Sequence, residues 1–258
     1  MRQRSWGIDK ALISTCLNSI RAGMKFLPAL FIGLLQATPA FASGLIEYHM
    51  HMAPSMGDAK RIAITFDACT GKVDERILNA LVENKIKATI FVTARWLKRN
   101  PKAIETLKAN SDLFEIENHG AKHLPAVDVP SYVFGLRTAG SPQAVSTEVK
   151  DGAAAVKAAF GHQPTWYRSA AAIYTTSTME QVKTLGFKLG GFTFSGDGGA
   201  TWTAGHTEKT IAAAKDGDVV IAHINQPIRP AGEGVVKGIL KLKEQGFVFV
   251  TLQQGFPD

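Results

Sequence analysis

Cysteine is nearly absent from the chain, with only Cys16 and Cys69 in 258 residues, and two thiols exclude a fold stapled by a disulfide framework. Long hydrophobic runs are missing too. The most apolar stretch, Phe26 to Leu35, is ten residues, half of the roughly 20 a membrane-spanning helix needs. The mean hydropathy of +0.01 likewise excludes a multi-spanning membrane protein. No basic run with interleaved aromatics occurs beyond the N-terminal region, so nothing supports nucleic-acid binding. No internal repeat or low-complexity segment is present. What remains is an ordinary globular composition, 45% hydrophobic and 20% charged, long enough for one large domain.

The N-terminal region differs in kind. Basic residues precede the apolar run, and Ala40-Phe41-Ala42 has the small-x-small form of a signal-peptidase site. Residues 1–42 therefore read as a secretory signal, with Met24 as an alternative start and an uncut membrane anchor as the competing reading. Export implies a periplasmic or secreted protein with no stable membrane partner after cleavage. The segment carries five Lys/Arg and one Asp, so removing it changes the balance from 29 against 22 to 24 against 21, or +3. Cys16 leaves with it, and Cys69 is left without a partner. Residues 43–60, with His49-Met50-His51-Met52, read as a linker with a mobile terminus; a soft-metal site is the alternative.

From residue 61 strand-like and helix-like blocks alternate. Short branched runs predict strands at 62–66, 88–92, 114–117, 165–168, 188–194, 218–222 and 247–251. Helical spacing predicts helices at 73–85, 101–109, 145–160, 207–214 and 234–245. A further helix runs from a capping box at Ser177 and Glu180 to Leu185. Residues 124–142, with several Pro and Gly, form a long loop. This order implies an α/β fold, a parallel sheet with outer helices in a single domain spanning 61–258.

Polar residues gather at one place in that pattern. Asp67, His119, Arg168, His223 and, slightly beyond its strand, Asp197 all follow predicted strand ends, the edge at which parallel α/β folds build their sites. His119 and His123 are four apart, a spacing that on a helical turn lets both imidazoles reach one ion. Each residue also has a structural reading. Asp67 could cap a helix, His223 could be a buried hydrogen-bonded ring, Arg168 a surface ion-pair partner and Asp197 a turn residue. His162 reads as a turn residue, and His206 and Cys69 as structural.

Taken together, Ile64-Thr-Phe-Asp67-Ala-Cys-Thr-Gly71, His119-x-x-x-His123, Arg168 after an aromatic strand, and Val219-Val-Ile-Ala-His223 resemble the motifs of the polysaccharide deacetylase family. This is the NodB homology domain of carbohydrate esterase family 4. The resemblance covers roughly residues 61–252 and implies an irregular (β/α) barrel of about seven parallel strands. It further implies a metal-dependent hydrolase that removes N-acetyl groups from an N-acetylglucosamine-type polysaccharide of a cell wall or matrix. By that likeness His119 and His123 bind one divalent ion, most simply zinc, and Asp67 is the base that activates water. His223 is the acid that protonates the leaving amine, Arg168 holds Asp67 ionised, and Asp197 tunes His223. Trp202 and Tyr167 are the aromatic candidates for contact with the sugar.

The sequence departs from the family at Ala68, where a second Asp usually supplies the third metal bond. Weaker metal binding is expected, unless Asp67 or the Cys69 thiolate takes that bond. Arg168-Ser-Ala170 likewise replaces the usual Arg-Pro-Pro. Two alternatives to the enzyme follow: a weak or inactive relative that binds glycan, and a metal-independent amidohydrolase on the same fold. Oligomeric state is not legible.

Overall fold

The computed structural model describes residues 44–257 apart from 56 and 58; residues 1–42, which the sequence suggests are a secretory signal, lie outside the described residues, Met24 and Cys16 among them. The first half contains β1 (Ile46–Glu47), β2 (Arg61–Ala68), α1 (Glu75–Glu83), β3 (Ala88–Val92), α2 (Ala94–Arg99), α3 (Pro101–Ala109) and β4 (Phe114–Asn118). A small hairpin, β5 (Tyr132–Val133) and β6 (Leu136–Arg137), then leads to the long helix α4 (Pro142–Phe160). The second half contains β7 (Trp166–Tyr167), β8 (Ile173–Tyr174), α5 (Thr176–Thr184), β9 (Lys188–Leu189) and β10 (Phe194–Ser195). It ends with α6 (Ala204–Ala212), β11 (Val219–His223), α7 (Ala231–Glu244), β12 (Val248–Phe249) and α8 (Leu252–Gly255).

The main sheet runs β10-β11-β2-β3-β4-β7-β9, every pairing parallel, with β12 added to the start of β2. It curls into a half-barrel with helices outside, the irregular (β/α) barrel expected. Alternation along the strands assigns the two faces. Ile62, Ile64, Phe66, Ile90, Val92, Val220 and Ala222 join Leu78 and Leu81 of α1 and Val235 and Ile239 of α7 in the outer core. Ala63, Phe91, Trp166, Val219 and Ile221 form a second, inner core. Each fully buried aliphatic side chain contributes about 1.5–3 kcal/mol, so shifting a strand by one residue would empty both cores.

Helix ends follow local chemistry. The Asp74 side chain accepts from the Arg76 N–H at the start of α1, Ser141 caps α4 ahead of Pro142, and Gly161 closes that helix at φ +84°, where a side chain would strain the backbone. The capping box of α5 is not Ser177 and Glu180, as the sequence suggests, but Thr175 and Thr178. Thr175 is extended and its hydroxyl accepts from the Thr178 N–H; Ser177 is already helical and cannot serve as the cap.

Residues 44–52 are not a mobile terminus. Strand β1 pairs with β8, His49 bridges to Phe192, and Met52 is fully buried in the inner core. The thioether and apolar stem supply a plug that a linker reading of the same residues does not anticipate. No described helix is long and apolar enough to cross a membrane.

Candidate active site

Parity carries Asp67 inward. It follows Ala63 and Thr65 on the inner face of β2, while Ala68 faces the outer core. His223 is its register partner on β11, and His119, just past β4, donates its backbone N–H to Val92 O at 3.0 Å. Arg168 follows β7, its N–H bonded to Asn118 O at 2.9 Å. Asp67, Arg168, His119 and His223 thus converge at the carboxyl edge although they span residues 67 to 223.

The two histidines do not share a helical turn. Residues 119–123 form a tight loop in which Gly120 has φ +86° and His123 φ +63°, bringing the rings edge to face with centroids 5.0 Å apart. A left-handed His is an unusual and costly backbone state. Glu148 of α4 holds the loop, its Oε1 accepting from Lys122 N (2.7 Å) and Leu124 N (3.1 Å), while Asn118 Oδ1 accepts from Gly120 N. A Cβ at Gly120 would meet Glu148 Oε1 at 2.5 Å, so this glycine is required twice, by conformation and by space. Sequence reasoning passed over Glu148 and Asn118. The usable signal was an acidic residue on the same helical face as Val145 and Val149, buried with them.

Two charge pairs flank the histidines. Arg168 is fully buried; its Nη1 donates to Asp67 Oδ1 at 2.9 Å, its Nη2 to Gly191 O at 2.7 Å, and its guanidinium lies 4.1 Å from the Phe91 ring centroid. It is no surface ion pair. Burial pushes the Asp67 carboxyl up, but attraction to His119, Arg168 and His223 prevails and holds it below the usual carboxylate range. Asp67 caps no helix. On the other side, His223 Nδ1 lies 3.0 Å from Asp197 Oδ1, and the backbone N–H of His223 donates to Asp197 Oδ2 at 2.7 Å. Burial pushes the His223 imidazole down, yet Asp197 outweighs it and holds the ring well above its ordinary value. Asp197 also accepts from Gly199 N, so it is at once a turn residue and the partner of His223.

Cys69, for which the sequence favours a structural role with a third metal bond as the alternative, stands with the histidines. Its Sγ is 3.7 Å from His119 Nε2, and one ligand atom each from Cys69, His119 and His123 lie within 4.8 Å of one another, the only such trio among the described residues. Ligands of a tetrahedral zinc ion are separated by about 3.3–3.8 Å; the Cys69–His119 distance already lies in that range, and a thiolate with two imidazoles is a donor set that suits such a cation. Burial pushes the Cys69 thiol up, but hydrogen bonding to His119 and His123 holds it well below its ordinary value. Burial likewise pushes the His119 ring down, with Asp67 and Cys69 together reversing the effect; a bound cation competes for that proton.

Asp67, His123 and His223 open into a cavity of about 600 Å³ lined also by Glu47, Phe134, Ala171, Phe192 and Ser195, a volume suited to a small ligand or one or two sugar units. Neither aromatic candidate lines it. Tyr167 is fully buried beneath α4 and α5, with Val145, Val149 and Val182, because on β7 it points opposite to Trp166 and Arg168. Trp202 packs against Gly198 and the His206 ring and lines a neighbouring depression with Phe194 and Lys215. The aromatic at the rim is Phe134, 83% exposed at the tip of the β5–β6 hairpin.

Residues 55–190 match a family model described as Polysaccharide deacetylase. A "Bifunctional xylanase/deacetylase" of Pseudobutyrivibrio xylanivorans is 23% identical over 239 residues, covering 93% of this chain; the chain spans 36% of that protein's length. Among solved structures, a peptidoglycan N-acetylglucosamine deacetylase superposes with a TM-score of 0.66 at 16% identity, covering 81% of this chain and 92% of that one. PdaA of Bacillus subtilis, a family 4 carbohydrate esterase, gives 0.62 at 19% identity, covering 80% and 84%. A family 4 pseudoenzyme from Bacillus anthracis gives 0.62 at 19%, covering 81% and 69%.

Proposed function

Because the chain belongs to the polysaccharide deacetylase family, a group of carbon–nitrogen amide hydrolases, we propose that it is an exported, metal-dependent enzyme that removes N-acetyl groups from an N-acetylglucosamine-type polysaccharide. One observation carries the reading: a carboxylate held ionised by Arg168 and an imidazole held protonated by Asp197, register partners on neighbouring strands, line one cavity together with His123 of the cation-ligating trio. A packing role requires no such pairing of base and acid.

A divalent cation, for which zinc is the simplest choice, would polarise the acetamide carbonyl and acidify water there. Asp67 takes a proton from the attacking water, and Arg168 keeps its carboxylate charged and aimed. His223 delivers its proton to the amine nitrogen as the carbon–nitrogen bond breaks. Phe134 offers a ring face at the rim on which a neighbouring sugar stacks.

Acetate release from N-acetylated glucosamine oligomers tests the reading. Release is expected with zinc and lost on chelation. No release with any divalent metal would select the inactive glycan-binding alternative, and release that survives chelation would select the metal-independent amidohydrolase.

The Asp197–His223 pair also predicts a pH profile. An acid catalyst works while protonated, so activity falls as pH rises through the His223 pKa. Asp197 raises that pKa, which places the alkaline limb above the value of a free imidazole. Asp197→Asn is expected to move the alkaline limb of kcat/KM downward, toward or below neutrality, leaving the acid limb in place. An unmoved alkaline limb would remove His223 as the acid.

A further inference from the structure

We infer that the Cys69 thiolate is the third protein ligand of the cation, making a Cys-His-His centre that favours zinc or cobalt over harder cations such as magnesium. The inference rests on the metal dependence proposed above and adds the identity of the donor set.

Ala68, where an aspartate would be expected, offers no donor atom, and it is packed in the outer core. The next inward position after Asp67 is 69. A sulfur there is 3.7 Å from His119 Nε2, the separation that two ligands of one tetrahedral ion show, and within 4.8 Å of a His123 ring nitrogen, close enough for a small side-chain adjustment to bring it to the same ion. The His119 ring is already turned for the task. Its Nδ1 meets the Arg168 carbonyl at 2.8 Å, and a carbonyl only accepts, so Nδ1 carries the hydrogen and Nε2, 3.7 Å from Cys69 Sγ and 3.4 Å from Asp67 Oδ2, is the nitrogen left for a metal bond. His119 is 1% exposed and Cys69 8%.

Asp67 is the competing third ligand, and its surroundings argue against that use. Its Oδ2 lies 3.4 Å from His119 Nε2, but its Oδ1 is engaged by Arg168 at 2.9 Å and the carboxylate is not part of the trio whose ligand atoms all lie within 4.8 Å of one another. With sulfur taking the metal, Asp67 stays free as the base. A thiolate and two imidazoles form a soft-to-borderline set, which selects zinc and cobalt(II) and disfavours magnesium and calcium, cations that prefer all-oxygen ligands.

The full chain loaded with cobalt(II) is the test, read by absorption and by metal content. One cobalt per chain with a near-ultraviolet sulfur-to-cobalt charge-transfer band is expected, together with that band's loss in Cys69→Ser and zinc affinity at least about 10-fold weaker in the variant. The wild-type spectrum stands even where the variant does not fold. Stoichiometric cobalt without the band would overturn the thiolate ligand and leave the metal-dependent reading intact. A wild-type chain that binds neither zinc nor cobalt would overturn both.

Discussion

Asp67→Asn is expected to lower the rate of acetate release by about 10²–10⁴-fold, the usual contribution of a positioned acid or base, while one metal ion per chain is retained. Asparagine keeps an oxygen for Arg168 Nη1 but has no charge to accept a proton. The two-part outcome separates the roles this residue could fill. Lost activity with retained metal identifies the base, whereas loss of both identifies a ligand, and unchanged activity would remove Asp67 from the chemistry. Metal analysis and turnover on the same preparation, with circular dichroism to show that the fold persists, give the answer.

The second large effect is on stability. Arg168→Met removes the buried partner of Asp67, the donors to Gly190 O and Gly191 O, and the face that covers Phe91. Breaking a buried pair on one side costs about 3–5 kcal/mol, because the remaining charge stays desolvated and uncompensated. A fall of that size in unfolding free energy, measured by denaturant titration, is the expected result. The double variant with Asp67→Asn should lose less than the sum of the two single losses, since no isolated charge remains inside. Strictly additive costs would mean that the 2.9 Å contact carries no coupling, and Arg168 would then act only by packing.

Much of this architecture is legible in residues 61–252. Branched apolar runs alternating with amphipathic stretches require a parallel sheet covered by helices, since neither element can bury its apolar face alone. Strand ends are readable because the period changes there, which is why Asp67, His119, Arg168 and His223 can be assigned to one edge before any coordinates exist. Side chains on short elements are another matter. Strand β7 is two residues long, too short for alternation to reveal a face, so the sequence cannot distinguish Tyr167 as a sugar contact from the buried packing residue that it is.

Tertiary structure decided the rest. The local spacing of His119 and His123 suggested a helical turn; a left-handed loop pinned by Glu148, 25 residues beyond His123, brings them together instead. Trp202 lies behind Gly198 rather than over the cavity, and residues 44–52 are anchored by β8 and Phe192, more than 100 positions away. Cys69 is the clearest case. By sequence its thiolate is one of two candidates for the bond that Ala68 cannot make and its default is a small apolar group; the order β2-β3-β4 in the sheet is what brings it against His119, 50 residues on. Local period and propensity act over a few residues and therefore determine which elements form and which way their long strands face. The company a side chain keeps depends on which strands become neighbours, and that is set by the packing of the whole sheet.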